Sequence, residues 1–163
     1  MSSDESKVSK APKEPKVPKV GGPHDLRIVS PLSPELDQLV YDIIGAAMTV
    51  HTALGPGLLE RSYSDALRAE FEKRSFRYEC EVPVSLTHAG QKLRRYRLDL
   101  VVEHQVIVEL KTVAQLHPVH SSQMLTYLRL TGLPVGVILN FHEQHLRDGI
   151  RRHVLQVPKA SAR

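Results

Sequence analysis

The stretch YRLDLVVEHQVIVELKTV, residues 96–113, is apolar enough to lie at the centre of a sheet, yet it sets Asp99, Glu109 and Lys111 among Leu, Val and Ile. An ionised carboxylate in such company is costly to bury unless it is paired or holds a cation. A strand repeats every two residues, so Glu109 and Lys111 point to one face and Val108 and Leu110 to the other. With a turn at Glu103-His104-Gln105, Asp99 falls on the adjacent strand and can face them. Two explanations fit these residues equally well: a salt-bridge cluster in which Lys111 neutralises both acids, or the layout of a divalent-metal phosphodiesterase site.

Outward from this hairpin, YECEVPVSLTH, KLRRYRLDLVVE and QVIVELKTV read as three strands joined at Ala89-Gly90 and at Glu103-His104-Gln105, with Pro83 placing the first at an edge or giving it an irregular start. PVHSSQMLTYLRLTG reads as a helix ended by Gly132, on which Gln123 and Tyr127 share a face. LPVGVILNF then suits a strand covered on both sides and parallel to its predecessor. Upstream, Ser33-Pro34-Glu35 announces a helix whose stripe is Leu36, Leu39, Val40, Ile43, Ile44, Ala47 and Met48, stopped at Leu54-Gly55-Pro56-Gly57. A second helix, LLERSYSDALRAEFEKRS, turns Leu59, Tyr63, Ala66 and Leu67 inward. Glu60 lies in its first turn, where the macrodipole alone favours an acid. The order helix, helix, three strands, helix, strand is an α/β fold with a mixed central sheet flanked by helices.

The chain has 163 residues, 41% of them hydrophobic, which suits one core. We expect a Lys/Pro-rich disordered tail over 1–24, a single domain over 25–157 and a flexible end over 158–163. In the tail Lys7, Lys10, Lys13, Lys16 and Lys19 recur every third residue, a polyproline II spacing that also suits mere solubility. No apolar run is long enough to span a membrane or to act as a signal peptide, so a cytoplasmic protein is expected. Cys80, the single cysteine, excludes an internal disulfide and cysteine-based metal sites and reads as a small buried residue. His-x-x-x-His pairs and phosphate-binding glycine loops are absent, which argues against a zinc helix and ATP hydrolysis. The net charge is +4; besides basic ends there is a run of Lys92, Arg94, Arg95 and Arg97 just before Asp99. Clustered cations beside carboxylates suit a polyanion, although such runs also simply solvate a surface.

LVYDIIGAAMTVHTALGPGLLERSYSDAL, RLDLVVEHQVIVELKTV and HPVHSSQMLTYLRLTGLPVGVILNF together resemble the GxxExxY proteins, small bacterial proteins of the PD-(D/E)XK nuclease superfamily. The namesake motif stands here as Gly57, Glu60 and Tyr63, and the resemblance covers about residues 34–141. It implies a restriction-endonuclease-like αβββαβ core with Asp99, Glu109 and Lys111 as signature residues, Leu98 replacing the nominal proline. It also implies that Glu60 joins the site as a further acid and that Gln123 and Tyr127 form a Gln-x-x-x-Tyr motif. The implied chemistry is phosphodiester hydrolysis by metal-activated water. Asp99, Glu109, the Leu110 carbonyl and Glu60 would hold Mg2+ or Mn2+, Lys111 would act on the water, and Arg95 and Arg97 would meet substrate phosphate. The expected partner is nucleic acid, DNA before RNA. A catalytically silent nuclease-fold module is the alternative, and a homodimer is a third reading, since one site cuts one strand.

Overall fold

A computed structural model of the protein describes residues 32–155; the expected tail, the flexible end and the outer limits of the 25–157 domain lie outside the described residues. Helix α1 (Pro34–Leu54) starts where the Ser33 hydroxyl accepts the Leu36 N–H at 3.3 Å and Pro34 occupies the first turn. Leu36, Val40, Ile43, Ala47 and Val50 form its buried stripe, while Met48, expected inside, is 37% exposed. The helix stops at Gly55, whose φ of +69° is open to glycine and strained for other residues.

Helix α2 (Glu60–Lys73) buries Tyr63, Leu67 and Phe71 at four-residue spacing. Leu59, expected to face inward, is the N-cap and is 79% exposed, because the helix begins one residue later. Tyr63 locks the loop between α1 and α2. Its hydroxyl donates to the Gly55 carbonyl at 2.6 Å and accepts the Leu58 N–H at 3.1 Å, while its ring stacks on Phe141 at 4.4 Å. Tyr63→Phe should keep the stack and lose both bonds, costing about 1–2 kcal/mol in urea unfolding. An unchanged midpoint would mean that the hydroxyl does not hold the loop.

The five-stranded sheet has the order β1 (Tyr78–His88), β2 (Gln91–Val102), β3 (Val106–Lys111), β4 (Val135–Asn140), β5 (Ile150–Val154). The hairpins turn at Ala89-Gly90 and Glu103-His104, with positive φ at both residues of each pair, as tight hairpins require. Helix α3 (Pro118–Thr131), ended by left-handed Gly132, carries the chain from β3 to parallel β4, which is buried throughout. β5 was not expected. IRRHV shows no apolar alternation, but it pairs antiparallel with β4 through main-chain bonds that ask little of its side chains. As expected from Pro83, β1 is an edge strand.

Strand alternation divides the core between the two faces of the sheet. Val106, Val108 and Leu110 pack with α1 and α2, whereas Ile107 packs with Met124, Tyr127 and Leu128 of α3. No described helix is long and apolar enough to cross a membrane.

Candidate functional site

The ladder between β2 and β3 stops early. It joins Leu100 to Val108, Val101 to Ile107 and Val102 to Val106, and the next facing pair would be Asp99 and Glu109. There side chains take the place of backbone partners. The Leu110 N–H donates to Asp99 Oδ2 at 2.8 Å, and the Asp99 N–H donates to Glu109 Oε1 at 3.2 Å. The strands thus part around two carboxylates without orphaning these two amides. N–H and C=O of one strand residue point the same way, so Leu110 also turns its carbonyl toward β2, into this gap.

Alternation breaks at the same place. Leu98 packs in the α3 cluster and Leu100 in the α1/α2 cluster, although two residues apart on a strand should share a face. Opposite, Glu81 of β1 has φ +53°. Side-chain alternation along β2 is therefore interrupted at Asp99, whose carboxylate reaches across to β3.

Glu109 and Lys111 share the α3 face, as their spacing requires, and Lys111 Nζ stands 3.5 Å from Glu109 Oε2. Glu109 is 5% exposed. Burial first, and then the Asp99 charge, push its carboxyl up to about 8, against the pull of Lys111. Burial also drives Tyr127 to about 12, helped by Glu109 and Asp99, which places its hydroxyl in the field of both acids. Tyr127 lies edge-on to Tyr96 at 5.7 Å. Glu60 comes from α2: partial burial raises its carboxyl, Lys111 opposes this, and Asp99 adds to it. At the start of α3, His120 Nδ1 accepts the His117 N–H at 3.1 Å, a local cap, and burial followed by Lys111 lowers its pKa. His51 bonds the Glu143 carbonyl at 2.8 Å, away from the acids.

Glu60 and Asp99 line one cavity of about 360 Å³ with Leu110, Glu81 and Cys80. Cys80 is thus exposed, not buried: it lies on the edge strand and lines the open cavity. Arg61, Ser64 and Arg68 form the α2 wall; four-residue spacing from Glu60 would have revealed Ser64 and Arg68, which continue its helical face. The three acids do not make a ready cage: among the described residues no three His, Cys, Asp or Glu side chains stand close enough to hold an ion. Arg97 reaches Glu81 at 3.4 Å, while Arg95 is exposed farther along the strand. Gln123, half-exposed on α3, makes no side-chain hydrogen bond among the described residues.

A family model of the PD-(D/E)XK nuclease superfamily matches residues 37–153, nearly the whole described fold. The chain belongs to the PD-(D/E)XK nuclease superfamily. No curated protein and no solved structure gives a significant match. The three helices and mixed sheet of this PD-(D/E)XK domain accord with a restriction-endonuclease-like α/β fold.

Behind the site of the PD-(D/E)XK domain, fully buried Asn140 clamps the segment after β3. Its side chain accepts the Val113 N–H at 3.1 Å and donates to the Val113 carbonyl at 2.8 Å, while the Phe141 N–H reaches the Lys111 carbonyl at 2.8 Å. Asn140→Ala leaves both Val113 groups short of a partner and should cost about 2–3 kcal/mol in urea unfolding. A loss within a few tenths would show that water replaces the clamp.

Proposed function

We propose that the chain is a cytoplasmic nuclease dependent on Mg2+ or Mn2+ that hydrolyses DNA phosphodiester bonds by metal-activated water. The reading is carried by Glu109: with Lys111 only 3.5 Å away, its buried carboxyl is still pushed up to about 8. One ammonium does not balance two carboxylates, and a divalent cation would. The donor set fits such an ion, since Asp99, Glu109 and the Leu110 carbonyl offer only oxygens. Mg2+ takes one or two carboxylates and keeps several waters, so the lack of a third close acid suits it, with Glu60 at the flank. When bound, the ion would lower the pKa of water and polarise the phosphate.

The chain's own residues have separate tasks in this proposal. Lys111, as the ammonium, orients the attacking water and stabilises negative charge developing at phosphorus. Asp99 keeps its charge in place through the Leu110 N–H. Tyr127 and Gln123 steady the strand, the water or the phosphate from α3, and Arg95 and Arg97 meet the substrate backbone. A duplex cut on both strands calls for two sites, hence a homodimer, which sedimentation with DNA would test.

The deciding assay offers linear, circular and single-stranded DNA, and RNA, to the purified chain with Mg2+ or Mn2+, beside Lys111→Ala. Cleavage of DNA by the wild type alone is expected; equal activity in both proteins overturns the reading. A silent binding module is the second reading, favoured by the internal partners that Asp99 and Glu109 already possess. Calorimetric Mn2+ binding and DNA binding without cleavage of any substrate would support it.

A further inference from the structure

β2 outruns one neighbour. Its ladder with β3 ends at Leu100, whereas its ladder with β1 continues to Gln91. Residues 81–98 are therefore a two-stranded ribbon beyond the third strand, roughly 25 Å long at about 3.3 Å per residue. The base of the ribbon is anchored: Val82, Val84, Tyr96 and Leu98 pack on the α3 cluster. The rest stands in solvent, with Lys92, Arg94, Arg95 and Arg97 all exposed and Leu93 58% exposed. Glu81 is the one acid of residues 81–98, and it pairs with Arg97. Lys92, Arg94 and Arg95 make no ion pair among the described residues.

Such a ribbon is an odd place for solubilising charge. Two strands without a third are marginal in water, and like charges along them repel. The ribbon also begins at the cleft, since Glu81 and Asp99 line the same cavity. We propose that residues 81–98 are an arm that grips double-stranded DNA, lying in the major groove beside the Asp99 cleft, with Lys92, Arg94 and Arg95 on phosphates. The proposal rests on the nuclease reading and deepens it by naming the B-form duplex as the substrate class.

Shape and composition both select this partner. The major groove of B-form DNA is about 12 Å wide and admits a two-stranded ribbon, whereas that of A-form RNA is too deep and narrow. Proteins that hold single strands stack bases on exposed aromatic side chains. Tyr96 is the one Phe, Tyr or Trp of the arm, and it is spent on packing against Tyr127.

The test measures binding of the full chain in EDTA, without hydrolysis, by fluorescence anisotropy. The probes are a labelled DNA duplex, its single strand and the matching RNA duplex. Wild type should bind the DNA duplex tightest. Lys92→Ala/Arg94→Ala should weaken it about tenfold and reduce the slope of log affinity against log salt by about 2. Lys92→Arg/Arg94→Lys should retain the affinity, which separates lost charge from lost folding. Removing the exposed charges Lys73 and Arg129 should change nothing. An unchanged duplex affinity and slope in the double alanine variant, an equal loss in the Lys73/Arg129 control, or preference for either other probe overturns the arm. If the arm effect holds but no substrate is cut, the nuclease reading fails and the arm stands; cleavage without an arm effect gives the reverse.

Discussion

Replacing Asp99 with asparagine is expected to reduce DNA cleavage by about a thousandfold or more while the fold persists. The amide oxygen of the new side chain can still accept the Leu110 N–H that Asp99 takes at 2.8 Å, so the gap between β2 and β3 keeps its filling. What disappears is a negative charge at the point where β3 and α2 bring their own charged groups. The same loss relieves Glu109, whose high pKa owes its second-largest contribution to Asp99. In metal-free protein Glu109 should then titrate lower than in the wild type. Cleavage kinetics read the first effect, and the pH dependence of unfolding reads the second. A variant that cuts at the wild-type rate would remove Asp99 from the mechanism.

A comparably large effect concerns stability. Without metal, Glu109 titrates at about 8 in the folded chain, far above the ordinary 4.5 that it regains on unfolding. Between those values the folded state holds a proton that the unfolded state has released. Stability therefore falls as pH rises from about 4.5 toward 8 and levels off above, by an amount on the order of a few kcal/mol. Glu109→Gln removes this dependence and should be the more stable protein above pH 8, though inactive. Urea unfolding of both proteins in EDTA across this range, taken as a difference, cancels the histidines. That matters because His120 and His153, lowered mainly by burial, act with the opposite sign near neutrality. Mn2+ should restore wild-type stability most at the alkaline end and do little for the variant. A difference curve that is flat, or that favours the wild type as pH rises, would refute the charge deficit on which the metal reading stands.

Much of the architecture was legible because it is written locally. Ser33-Pro34 starts α1 and Gly55 ends it through cap chemistry that involves only neighbours in the chain. Ala89-Gly90 and Glu103-His104 turn because small or polar residues tolerate positive φ more readily than branched ones. The apolar run of β4 announced a strand covered on both faces, and the spacing of Glu109 and Lys111 placed them on one side of β3. The candidate acids were visible for the same reason: each interrupts or adjoins a pattern that its neighbours make plain.

Other features depend on which strand lies beside which, and no local pattern encodes that. β5 exists because β4 presents a free edge, not because IRRHV prefers extension. Leu59 and Cys80 are exposed because their surroundings, not their residue types, leave them uncovered. Leu98 and Leu100 part to different clusters at the place where β2 loses β3. The sequence by itself determined the three helices, the first four strands, their order and the charged residues at stake. Only the tertiary structure decided that Asp99 and Glu109 would replace a rung of the ladder, that Glu60 would join Asp99 along one cleft, and that the basic run would stand out as a ribbon. Periodicity and capping act over a few residues, while burial and electrostatics come from residues ten to fifty positions away.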